Sequence, residues 1–179
     1  FESFQRLLRE ASRAFDEATE RWPEDPCPWA GRITIALGLA QGLATARAHF
    51  EQVSRRAPQL IEAHERLLQV SCAKWGGSDQ AMMAHAVSSA AHAPAGHPLH
   101  ALPLFALREL SLIREVSGDK AGAAAVWHSP DAARFCDAAL SHYIRSPSCR
   151  PRRVDARFAG VVAFACARLV TINAAPWFT

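Results

Sequence analysis

Apolar residues return at every third or fourth position along most of this chain, with charged residues between them. That spacing is the signature of amphipathic helices. In the first twenty residues the apolar set is Phe4, Leu7, Leu8, Ala11, Phe15 and Ala18, and the other face carries Arg6, Arg9, Glu10, Arg13, Glu17 and Glu20. Trp22-Pro23 ends this segment, because the residue before a proline is pushed out of the helical region. The same reading predicts helices over 28–41, with Pro28 in the favoured first turn, over 43–56 after a break at Gly42, and over 60–73. Lys74-Trp75-Gly76-Gly77-Ser78 reads as a turn. Its glycines accept positive φ, Trp75 is expected to be buried against neighbouring helices, and Ser78 is placed to cap a helix over 79–93. Further helices are expected over 99–116 with Pro103 in the first turn, over 120–128, over 130–145 and over 154–172.

A second regularity overlies the first. Pro23, Pro58, Pro94 and Pro130 are separated by 35, 36 and 36 residues. Arg21, Arg56, His92 and His128 stand two residues before them; Ala57, Ala93 and Ser129 stand immediately before three of the four; Phe15 and Phe50 stand eight before the first two. A fixed period of this size signals stacked helix pairs. The next boundary is due near position 166 and arrives at Pro176, so the Pro- and Arg-rich segment 146–153 reads as an exposed insertion of about ten residues. In this register the chain begins in the second helix of one repeat and ends as another opens at Trp177, as a piece of a longer protein would.

Ala11, Phe15, Ala18 and Pro23, then Trp29, Ala46, Phe50 and Pro58, resemble the tetratricopeptide repeat, which carries a large residue early in its first helix, a small residue and an aromatic in its second, and a terminal proline. The third repeat keeps Pro94 but has Met82 and Ala86 at the small and aromatic positions, and the fourth has Gly118 and Gly122. The resemblance covers nearly the whole chain and fades toward its C-terminal end. It implies an all-α, right-handed α-solenoid of antiparallel helix pairs, a single domain over residues 1–179 with eight to nine helices. Lys74-Trp75-Gly76-Gly77-Ser78, followed by Met82, Ala84 and Ala86, is also similar to the Trp-Gly-Gly-Ser turn of bacterial DUF4034-like helical-repeat proteins.

Composition fits this class. Half the residues are hydrophobic, only 8% are aromatic, and alanine is abundant, which favours closely packed helices. A net charge of +3 is too small for a dedicated nucleic-acid binder. The longest apolar stretch, 158–167, is half of what a membrane span needs. Cys27, Cys72, Cys136, Cys149 and Cys166 are odd in number and widely spaced, which suits buried reduced thiols and a reducing, cytoplasmic compartment.

Candidate chemistry is sparse. His92, His97 and His100 flank one turn, but no cysteine or carboxylate joins them at metal-ligand spacing, and His64 and His100 fall where the repeat packs a large residue. Cys136 and His142 lie six apart on one predicted helix and point in different directions, so Cys136 reads as a core thiol. The Trp-Gly-Gly-Ser turn lacks the Lys-Ser/Thr ending of a phosphate-binding loop. No catalytic, metal or cofactor site is expected, and the chain reads as a non-enzyme.

What remains is the groove that the first helices of such repeats line. The resemblance places Thr34, Glu62, Glu65, Gln69, Phe105, Arg108, Glu109 and Ser141 there. Ala30, Thr34, Glu65 and Gln69 occupy the positions with which the family grips a carboxylate, so a basic or neutral partner segment fits better. The expected function is a protein-interaction scaffold for another protein or peptide, self-association included. One alternative is a helical accessory module of a larger enzyme or biosynthetic assembly. The other is nucleic-acid binding through Arg145, Arg150, Arg152, Arg153 and Arg157, although no aromatic residues interleave with these arginines as in single-strand binders.

Overall fold

Short polar side chains mark where four of the helices begin. Asp25 accepts a hydrogen bond from the Cys27 N–H, Ser78 from Ala81, Asp119 from Gly122 and Ser129 from Ala132. Each satisfies a donor that the first helical turn leaves orphaned. Proline follows the cap at Pro26 and Pro130, where its missing N–H costs nothing. In the computed structural model, residues 2–150 and 156–174 are described, the last five as helix backbone alone. Arg152, Arg153, Pro176 and Trp177 therefore lie outside the described residues. The described chain is all-α, with no strand.

It divides into two compact units, residues 1–85 and 86–179. The first contains α1 (Glu2–Arg21), α2 (Pro26–Gly38), α3 (Gly42–Arg56), α4 (Ile61–Ser71) and the N-terminal half of α5 (Asp79–Ala91). Helix α2 packs against α1, α3 and α4, and α3 packs against α4. Their shared core is Ala30, Ile33, Ala36, Ala46, Val53, Ala63, Leu67 and Val70, with Trp29, Leu43, Phe50 and Leu60 closing its edges. Alanines at half of these positions let the helices approach closely, and each large apolar side chain contributes about 1.5–3 kcal/mol of burial. An Arg32–Asp16 ion pair of 2.6 Å ties α2 to α1. The apolar face expected on α1 is covered on one side only, for Phe4 and Leu7 are both 57% exposed.

The second unit holds the rest of α5, a 3-10 turn (Pro98–Ala101), α6 (Leu102–Val116), α7 (Lys120–Trp127), α8 (Pro130–Ala139) and α9 (Ala156–Ala174). A π-helical turn, Leu140–Ile144, continues α8, and the Arg145 N–H reaches back to the Leu140 carbonyl. Helix α6 packs against α7, α8 and α9, and α8 packs against α9. Phe105 lies on Phe158 with ring centroids 4.7 Å apart, and Trp127 meets the edge of Phe164 at 5.4 Å.

Three expectations are corrected. Helix α2 starts at Pro26 rather than Pro28, because the Asp25 cap supplies an earlier start, and this leaves Cys27 exposed in its first turn rather than buried. Trp75 is 51% exposed rather than packed. The turn around it is closed by the backbone: Gly77 N–H bonds to Cys72 O and Ser78 N–H to Ser71 O. Gly76 takes the positive φ, while Gly77 lies against the Ser71 carbonyl, where a methyl group would collide. The chain thus reverses with no help from the indole. Finally, the expected 99–116 helix begins as the 3-10 turn and becomes α-helical only at Leu102.

Candidate binding site

The proline ladder reappears as a repeated hydrogen bond. Six residues after each of the first three prolines, a side chain donates to that proline's carbonyl: Trp29 Nε1 to Pro23 at 3.4 Å, His64 Nε2 to Pro58 at 2.8 Å, and His100 Nε2 to Pro94 at 3.1 Å. A carbonyl only accepts, so both histidines carry their proton on Nε2. Each bond locks the start of one helix to the end of its predecessor. At the fourth step the register places Cys136, which turns instead to Cys166.

In the first unit the His64 position is closed. His64 stacks on His85 with ring centroids 5.5 Å apart and 18° between planes, and Phe50 sets its ring edge-on to both, at 4.9 and 5.2 Å. The His85 Nε2–H donates to the His64 carbonyl. Burial disfavours the charged imidazolium and lowers both pKa values. For His85, burial, with His64 and Arg47 adding to it, pushes the value down to about 4.

At the equivalent step of the second unit the aromatic is absent, since Ala86 stands where Phe50 does. Ala86 itself is fully buried, and beside it a cavity of about 430 Å³ is walled by Val87, Ala90, Ala91, Phe135 and Ala138, with His100, His142 and Arg134 as its polar groups. His100 and His142 lie 5.3 Å apart, and the Arg134 guanidinium sits 4.7 Å above the Phe135 ring. Arg134 is also paired with Asp131 at 2.8 Å. The π-helical turn that presents His142 is anchored by its carbonyl, which accepts from Gly96 N–H at 2.7 Å. Gly96 has φ +81° and lies against the backbone of Ser148 and Cys149, so no side chain fits at that position. Helical π-turns often accompany functional sites. The pattern did not point to Arg134, and it raised His142 only beside Cys136.

The groove residues expected from the repeat register fall into both units. In the first, Thr34 is exposed on α2, and Glu62, Glu65 and Gln69 are partly exposed along α4, on two helices that pack together. In the second, Arg108 is exposed and Glu109 partly exposed on α6, Ser141 is exposed in the π-helical turn, and the Phe105 ring is engaged with Phe158. Of the basic segment, Arg145, Arg150 and Arg157 are exposed, and Arg150 Nη1 donates to the Pro147 carbonyl.

His92, His97 and His100 hold separate partners: the Ser88 carbonyl, the Leu99 N–H and the Pro94 carbonyl. Among the described residues no three metal-ligating side chains converge, and no helix is long and apolar enough to cross a membrane. Comparison with known proteins finds no matching family model, no similar curated protein and no similar solved structure.

Proposed function

We propose that this chain is a tetratricopeptide-like interaction module, an α-solenoid that acts in a reducing, cytoplasmic compartment and holds a basic or neutral segment of a partner protein. The observation that carries the reading is the polar row of Thr34 on α2 and Glu62, Glu65 and Gln69 on the adjoining α4. Positions 62, 65 and 69 are spaced by three and four, so they share one helix face. The side chains beneath them, Ala63, Leu67 and Val70, are core residues, so the row stands on a rigid base. Carboxylates on such a base attract lysine and arginine side chains at little entropic cost to the protein. The test is fluorescence anisotropy with three labelled peptides of equal length carrying net charges of about +4, 0 and −4. Preference for the cationic peptide, reduced about tenfold or more in the Glu62→Lys/Glu65→Lys double variant, supports the reading. Equal binding of all three peptides, or no change in the variant, overturns it.

A second reading rests on the cavity of residues 86–179. Its apolar walls, with Arg134 and His142 at their edge, suit a small carboxylate with an apolar tail, and His100 beside them reports on its binding. Octanoate serves as the probe. Shifts in the His100 and His142 ring resonances that vanish in Ala138→Leu support it, and shifts that persist in that variant sink it.

A further inference from the structure

We propose that Cys136 and Cys166 form a peroxide-oxidisable dithiol that closes reversibly to a disulfide joining α8 to α9. The two Sγ atoms lie 2.9 Å apart, and both thiols are free. A disulfide needs about 2.05 Å between its sulfurs, so a side-chain adjustment of under about 1 Å completes the bond. The helices that carry them already pack together. Neither the spacing of the cysteines nor their odd number indicated this pair, because thirty residues and the basic loop separate them in sequence.

The two thiols differ in the way such chemistry requires. Cys166 is partly exposed and meets the oxidant, whereas Cys136 is 3% exposed and shielded from it. Burial, and the Cys166 thiol beside it, push the Cys136 pKa up to about 12, so Cys136 stays a protonated, unreactive thiol until its neighbour changes. The oxidant is a peroxide. The Cys166 thiolate attacks one oxygen of hydrogen peroxide, the O–O bond breaks, and the departing hydroxide takes a proton from solvent to become water. Cys166 is then a sulfenic acid, its sulfur oxidised by two electrons. Cys136 Sγ attacks that sulfur, the S–O bond breaks, and the leaving hydroxide departs as a second water with the Cys136 proton. Two thiols and one peroxide yield one disulfide and two waters. An external dithiol reverses the step by exchange.

The product pins α8 to α9 across the segment that contains Arg145 and Arg150. The rest of the cysteines serve as internal controls: Cys72 is buried, its Sγ 3.1 Å from the Met82 sulfur, while Cys27 is exposed and Cys149 half-buried.

The experiment treats the full chain with one equivalent of hydrogen peroxide, quenches, denatures and titrates thiols. Reactive thiols should fall from the five of the untreated chain to three, the mass should drop by two hydrogens, and peptide mapping should join Cys136 to Cys166. Dithiothreitol should restore all five. Cys136→Ser should abolish the link and leave Cys166 as a sulfenic acid trapped by dimedone. Cys166→Ser, a change at a less buried site, should abolish the link and give no dimedone adduct at Cys136. Cys27→Ser/Cys149→Ser should oxidise as the parent chain does. Five titratable thiols after treatment, a link that uses any other cysteine, or loss of oxidation in Cys27→Ser/Cys149→Ser overturns the proposal.

Discussion

His64 and His100 stand at the same step of the proline ladder and make the same hydrogen bond, yet their surroundings are opposite. In residues 1–85 the Phe50 ring packs on both His64 and His85, and His64 is buried. In residues 86–179 an alanine replaces that phenylalanine, and His100 borders a cavity with His142 and Arg134. The packed histidine pair has that aromatic on it, and the second unit has a cavity beside its histidines instead. The ladder bond is made at both places, whereas the ring is present at only one. Imidazole suits both settings, since its N–H satisfies the proline carbonyl while its face packs against carbon.

The most damaging change is Phe50→Ala, which removes the ring packed on His64 and His85. It should destabilise the protein by about 3 kcal/mol, read by urea denaturation. Water admitted to the gap should also raise the His64 and His85 pKa values toward 6.5 by NMR titration; unchanged values would show that Phe50 does not seal the pair.

Acid should produce a loss of similar size. The folded His85 value of about 4 lies below the unfolded value near 6.5, so between those pH values the unfolded chain binds the extra proton. His85 then contributes stability that is complete above about pH 7 and declines as pH falls through 6.5 toward 4, by about 3 kcal/mol in all. His85→Gln should flatten that stretch of the stability profile. His100, lowered chiefly by burial to a lesser extent, should contribute a smaller loss in the same direction.

Helix caps should not distinguish the units. Asp25→Ala in the first and Ser129→Ala in the second should each cost about 1 kcal/mol, since each removes one acceptor from a first-turn N–H. A cost at one cap more than twice that at the other would show that the helices depend on them unequally. The smallest effect belongs to Ala90→Leu. The added carbons enter existing space in the cavity, so stability should change by less than about 1 kcal/mol, and octanoate shifts of the His100 ring should disappear.

Much of this architecture was legible in the chain. Periodic apolar residues located every described helix to within a few residues, and Ser78 and Pro103 fell where their chemistry placed them, at a cap and in a first turn. The reading failed where a neighbour distant in sequence decides. Trp75 looked like a core residue by type, but local backbone bonds had already closed its turn. Cys136 is the core thiol its pattern suggested, but its neighbour Cys166 comes from α9, thirty residues on. The eight groove positions were assigned by register, and register orders residues along a helix face without saying what lies opposite. Phe105, for one, meets Phe158.

By itself the sequence determined the helices, their order and the spacing at which they recur, because helix formation, capping and proline breaks depend on residues a few positions apart. Only the tertiary structure decided that Pro58 and Pro94 each receive a histidine proton, that Phe50 packs on one histidine pair while a cavity borders the other, and that two cysteines thirty residues apart are nearly in bonding contact. Those outcomes depend on which side chains fill the same volume, and that is set by packing between helices rather than by the order of residues within one.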